Sequence, residues 1–193
     1  MKYNTDYAFP VDIEWDREHL LQIYEQTKAS GNLLTARIDI REHDYLRKLQ
    51  LKYPWLSNYI DFFTALPGLG FPIHIDTVEN DRRVVINFPL INADAAYTNW
   101  YVIDNPDAWF RLDKSAEDQG SSMYSSKGKF LNHNALTDPL VPVYSMKLTV
   151  PTVINTGEPH GVKNPTSKKR IIASWLLNYK DFAEAKQELL NDR

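Results

Sequence analysis

The spacing of apolar positions changes character near residue 70. Before it, "DREHLLQIYEQTKASG" sets Leu20, Leu21, Tyr24 and Thr27 at helical spacing, with Asp16 placed to cap the first turn and Gly31 to stop the helix. "REHDYLRKLQLKYPWLSNYIDFFTALPGLG" predicts one or two further helices, Pro54 opening the second and Pro67-Gly68 ending it. After Gly70 come "RRVVINFPLI", "AYTNWYVI", "AWFRL", "VPVYSMKLTVPTVI" and "KRIIASWLL". These are short stretches rich in Val, Ile, Tyr, Phe and Trp, divided by Asn, Asp, Gly and Pro clusters. Strands spaced this way without intervening helices predict an antiparallel barrel or a double-sheet jelly roll. The closing "DFAEAKQELLNDR" returns to helix formers. The polar stretch from Lys114 to Asn134 shows no periodicity and predicts a long surface loop, a candidate lid. The expected layout is one domain over 1–193: helical support in 1–70, a β core in 71–177 and a C-terminal helix in 178–193.

Composition narrows the partners more than the fold. A hydrophobic share of 43% and a charged share of 24% suit a globular protein, and 193 residues suffice for one sizeable core. The net charge of −3 gives no electrostatic reason to expect a nucleic acid. The absence of cysteine excludes disulfides, thiolate metal sites and a cysteine nucleophile. The opening "MKYNTDYAFPVDIEWD" lacks a basic-then-apolar leader pattern and no apolar run reaches membrane-span length, so a cytoplasmic location is expected, away from membranes. Oligomeric state has no signature in the chain.

Chemistry concentrates in a few polar residues set among the apolar β segments. Of the five histidines, His19 and His43 have charged neighbours and read as surface residues, and His133 lies in the expected loop. In "FPIHIDT", His74 and Asp76 project from one face of an extended chain. His160, in "NTGEPHGV", follows an apolar strand at a turn rich in Asn, Gly and Pro. Two histidines and one carboxylate match the facial triad of non-haem Fe(II) oxygenases, although an H-x-D pair alone is a common chance match. Ten positions beyond His160, Arg170 opens "RIIASW", with Ile172 and Ser174 on its face at period two. A guanidinium inside a barrel needs an anion, and its fork suits a carboxylate; exposed, Arg170 would simply join Lys168 and Lys169. Trp100 and Tyr101 could wall a substrate pocket or pack as ordinary strand residues.

The pattern "HID…H…R" resembles the Fe(II)/2-oxoglutarate-dependent oxygenases over about Phe71 to Trp175. "FPIHIDT…RRVVINFPLIN" and "PTVINTGEPHGVKN…KRIIASW" are most similar to the aspartyl/asparaginyl β-hydroxylase and proline 3-hydroxylase type. The resemblance implies a double-stranded β-helix, the cupin-like jelly roll, carrying iron on His74, Asp76 and His160. It implies that Arg170 holds the distal carboxylate of 2-oxoglutarate, with Ser174 and Arg83 as further cosubstrate contacts. Arg83 fits the type in its distance from His74 but not in its distance from Pro89-Leu90, and Asn87 stands where those relatives often have a histidine. The implied reaction consumes dioxygen and 2-oxoglutarate, releases succinate and CO2, and hydroxylates an unactivated C–H bond. The implied substrate is an amino-acid side chain, free or in a peptide, and a small molecule is also compatible. The same residues leave two alternatives standing: a metal-binding cupin-type isomerase, and a ligand-binding β-barrel without catalysis.

Overall fold

A computed structural model describes residues 3–28, 35–76, 84–111, 129–132 and 139–191. It contains three α-helices, α1 (Arg17–Lys28), α2 (Asp44–Lys52) and α3 (Phe182–Asn191). The strands are β1 (Ala8–Pro10), β2 (Thr35–Asp39), β3 (Leu56–Ala65), β4 (Gly70–Ile75), β5 (Val84–Ile91) and β6 (Tyr97–Trp100). They continue with β7 (Trp109–Arg111), β8 (Lys129–Leu131), β9 (Tyr144–Met146), β10 (Thr152–Asn155), β11 (His160–Lys163) and β12 (Arg170–Leu177). One sheet runs β1-β10-β5-β12-β3-β2 and the other β7-β8-β4-β11-β6-β9, with every pairing antiparallel. From β3 onward the chain passes between the two sheets, and strands distant in sequence become neighbours. This is a jelly roll, as the strand spacing predicts.

The two faces of the first sheet are both covered. On one, Ile60, Phe62, Ile86, Phe88, Ile171, Ala173 and Trp175 pack with Leu20 and Tyr24 of α1, Leu46 and Leu49 of α2, and Phe182 and Ala185 of α3. On the other, Ile172 and Ile154 meet Trp100, Met146 and Leu148 from the second sheet. A strand buried on both faces reads as a continuous apolar run, which is why "RIIASWLL" shows little alternation. Trp175, fully buried, donates from its indole Nε1 to the Ser57 carbonyl at 2.8 Å. The helix starts follow local chemistry: Asp16 accepts from the amides of Glu18 and His19, and Asp181 from that of Glu184.

Two expectations are corrected. The second helix expected after Pro54 is instead the ten-residue strand β3; with β1 and β2 it places three strands of the first sheet within 1–70, which is therefore not a helical unit. In "LSNYIDFFTA", Ile60 and Phe62 face the helices while the intervening Asp61 and Phe63 face the other way, a period of two that dense aromatic content obscures. β3 sits between β2 and β12 and lacks the polar face that an amphipathic helix of that length would show. Within the expected loop, Lys129–Leu131 forms β8 and pairs with β4. The remaining expected loop positions 114–128 and 133–134, His133 among them, lie outside the described residues, as does Gly31.

Candidate metal centre

Strand pairing assembles the centre from distant parts of the chain. His74 on β4 is the register partner of His160 on β11, so both side chains leave the second sheet on one face. The row continues outward on both sides, to Phe130 of β8 beyond His74, and to Trp100 of β6 and then Tyr144 of β9 beyond His160. The five rings line the inner face: His74 and His160 have centroids 4.3 Å apart, His74 stacks on Phe130 at 5.8 Å, and Trp100 lies 5.4 Å from Tyr144. Asp76 follows β4, its amide donating to the Thr156 carbonyl at 3.0 Å, which brings its carboxylate beside both imidazoles.

The ring nitrogens are sorted by their partners. His74 Nδ1 lies 2.8 Å from the Pro72 carbonyl and His160 Nδ1 lies 3.0 Å from the Glu158 carbonyl. A carbonyl only accepts, so each Nδ1 carries a proton and each Nε2 is left with a lone pair for the interior when the ring is neutral. That arrangement is how a protein orients a metal-ligating imidazole. His74 Nε2 is 3.3 Å from Asp76 Oδ1, and one donor atom from each of His74, Asp76 and His160 lies within 4.8 Å of the others. Two ligands about 2.1 Å from one ion and at right angles are about 3 Å apart, so small side-chain rotations suffice to close the triad on a divalent cation. Two imidazoles and one carboxylate fit iron, and they fit other first-row divalent ions too.

Electrostatics divide the three ligands. Burial disfavours charge on His74, but the hydrogen bond and charge of Asp76 outweigh it and hold the imidazole pKa above its ordinary value. Burial likewise opposes ionisation of Asp76, yet His74, bonded to it, and the nearby His160 keep its pKa below the usual carboxylate value. His160 is driven down to about 4, first by burial and then by the neighbouring His74 charge, so it is neutral at pH 7. Asp76 keeps 41% of its side-chain surface and His74 19%, whereas His160 is buried, so the triad opens toward solvent from the Asp76 side.

Arg170 begins β12 opposite Ala65 of β3 and is 1% exposed. Its Nε and Nη1 have no hydrogen-bond partner among the described residues, and burial alone lowers its pKa to about 10. Ile172 and Ser174 share its face; Ile172 packs inside the roll, and Ser174 is buried between Asp61 and Asn87. Asn87 also faces inward, and its Oδ1 lacks a partner among the described residues. Trp100 is fully buried beside His160 and donates to the Asn155 carbonyl at 2.9 Å, so it is a packed wall of the interior. Tyr101 does not join this group: it packs with Ile73, Ala108 and Leu131 on the opposite face of the second sheet, because side chains alternate along a strand. Arg83 lies outside the described residues. Phe130 and Tyr144 complete the row of rings without having been expected. For Phe130 the only sequence signal is the brief apolar pair "FL" inside a polar stretch.

No protein-family profile matches the chain, and no curated protein matches it. Among solved structures it is similar to a Pseudomonas putida prolyl-4-hydroxylase, with 12% identity over 88% of this chain and 84% of that one and a TM-score of 0.47. It is also similar to HygX from Streptomyces hygroscopicus with nickel and 2-oxoglutarate bound, at 13% identity over 87% and 80% of the two chains and a TM-score of 0.42. A third is SnoK, a non-heme alpha-ketoglutarate-dependent carbocyclase from nogalamycin biosynthesis, at 9% identity over 88% and 78% and a TM-score of 0.46. The jelly-roll assignment rests on strand order and register. Among the described residues no helix is long and apolar enough to cross a membrane.

Proposed function

We propose that the chain is an Fe(II)- and 2-oxoglutarate-dependent oxygenase that hydroxylates an unactivated C–H bond, with an amino-acid side chain, free or peptidyl, as its substrate. One observation carries this reading: the His74–Asp76–His160 triad shares a jelly-roll interior with Arg170, a fully buried cation without a partner among the described residues. A buried guanidinium with unpaired donors is costly, and a dicarboxylic ligand that reaches it from the metal would remove that cost.

Ferrous iron on His74, Asp76 and His160 would supply, with 2-oxoglutarate and dioxygen, an oxidation that couples loss of CO2 and formation of succinate to C–H hydroxylation. The chain's own contribution is placement. Nδ1–H bonds to Pro72 and Glu158 aim the two Nε2 lone pairs, and Asp76 adds a charged oxygen. Arg170 anchors the far carboxylate of the cosubstrate, with Ser174 and Arg83 as proposed additional contacts. Phe130 and Trp100 flank the imidazoles with apolar surface that excludes water from one side. Asn87 is assigned to the pocket lining. The proposed setting is the cytoplasm, whose reducing conditions favour ferrous iron, with a small molecule or peptide as partner.

The test is anaerobic addition of Fe(II) and 2-oxoglutarate, which should give a weak visible charge-transfer band that His74→Ala abolishes. Succinate release, screened over amino acids and peptides, then identifies the substrate. A protein that binds the metal fully yet gives neither band nor succinate is not an oxygenase of this kind.

A further inference from the structure

Arg170 can hold a ligand only if the start of β12 is fixed, and the groups that fix it belong to Asn164. This side chain is fully buried in the turn between β11 and β12. Its Nδ2 lies 2.8 Å from the Lys168 carbonyl, and 3.1 Å from the carbonyls of both Ala65 and Leu66. Ala65 is the register partner of Arg170, and Lys168 is two residues before it. One amide group therefore ties together the two backbone segments that flank the arginine. Its Oδ1 accepts from the Thr166 amide at 3.3 Å and sits 2.8 Å from the Thr166 hydroxyl, which in turn accepts from the Lys168 amide and from Asn92 Nδ2. The Asn164 amide donates to the Leu69 carbonyl and the Gly68 amide to the Thr166 carbonyl, so the turn at 66–69 and the turn at 164–169 are locked together.

We propose that Asn164 is a positioning residue for Arg170: it sets the guanidinium at the depth where the distal carboxylate of 2-oxoglutarate binds. The proposal rests on the 2-oxoglutarate reading above. The physical reason is the number of acceptors on one donor. Removing Nδ2 takes away the two N–H donors that the three carbonyls share, leaving Ala65 and Leu66 without this side-chain donor and Lys168 with the Thr166 hydroxyl at 3.0 Å. The first residues of β12 should then be held less firmly. His74 and His160 keep their own register pair on β4 and β11, with Asp76 just after β4, so metal binding should be spared.

The experiment measures binding, under nitrogen and with cobalt(II) in the site, of 2-oxoglutarate and of 2-oxopentanoate, which has the same chain length but ends in a methyl group. In the unaltered protein the ratio of the two affinities reports the Arg170 contact, and Arg170→Met should collapse it. Asn164→Ser should lower 2-oxoglutarate affinity about tenfold, leave 2-oxopentanoate and cobalt affinity unchanged, and raise amide hydrogen exchange at Ile171. Thr166→Val, which removes only the hydroxyl beside Oδ1, should lower the ratio less and serves if Asn164→Ser does not fold. Equal loss for both acids in these variants, or an unchanged ratio, overturns the positioning role. If the unaltered protein does not prefer 2-oxoglutarate, or Arg170→Met keeps the preference, the cosubstrate reading itself fails, separately from Asn164.

Discussion

Replacing Arg170 by methionine should make the ligand-free protein more stable, although it removes the proposed cosubstrate anchor. The side chain is 1% exposed, and its Nε and Nη1 have no partner among the described residues. Burial lowers its pKa from the usual guanidinium range to about 10. That fall puts the cost of keeping the cation folded on the order of a few kcal/mol. The sign follows from proton binding: the folded side chain releases its proton at lower pH than the unfolded one. The cost is thus complete below pH 10 and fades as pH rises above it toward the ordinary guanidinium range. Methionine fills similar space with no charge to desolvate, so Arg170→Met should gain about 1–4 kcal/mol at pH 7, as buried charges replaced by apolar groups often do. For a chain of this size that corresponds to a rise of roughly 2–16 °C in Tm. Urea unfolding with and without 2-oxoglutarate and cobalt(II) checks both halves: the variant should be the more stable without ligand and gain far less when ligand is added. A loss of more than about 2 kcal/mol in the ligand-free variant would mean that the guanidinium already has a strong partner, and would refute the vacant-anchor argument.

Further expectations concern the triad and its supports. Cobalt(II) affinity should climb by up to tenfold per pH unit while His74, whose pKa is raised, loses its proton, then level off; titrations giving a flat profile from pH 6 upward would contradict the His74–Asp76 pairing. Gly70→Ala should cost about 1–3 kcal/mol and weaken cobalt binding, because its Cβ would fall 1.7 Å from the Val162 carbonyl at the far end of the β4–β11 pair; denaturation and cobalt titration on one preparation would show whether the two losses travel together. Trp175→Phe should cost about 1–3 kcal/mol in urea unfolding by leaving the Ser57 carbonyl without its buried donor, and leave cobalt affinity as it was.

The sequence carries the site more clearly than it carries the fold around it. His74 and Asp76 are readable together because the period of a strand puts alternate residues on one face. The apolar runs "TVIN" before His160 and "RIIASW" from Arg170 mark two strands of the first sheet, while His160 itself begins β11 in the second. β3 was illegible as a strand because, with helices on one side and the roll on the other, both of its faces carry aromatic residues. Phe130 was hidden for a different reason. β8 is three residues long, and such a strand is created by its pairing with β4 rather than by any local preference. Trp100 and Tyr101 show the limit of composition: adjacent aromatics point to opposite faces, and only the register says which one meets His160. Asn164 gives no pattern at all, since its contacts are carbonyls supplied by the end of β3 and by two turns.

The register pair of His74 with His160 has a consequence for biosynthesis. A chain emerging from the ribosome presents His74 and Asp76 long before His160 exists, and two ligands hold a divalent ion weakly compared with three. The third ligand arrives only when β11 inserts between β4 and β6. Tight metal capture therefore waits for the β4–β11–β6 part of the second sheet to form. An ion so bound closes a loop running from position 74 to position 160, a clip across most of the roll. An unfinished chain would thus be a poor host for redox-active iron.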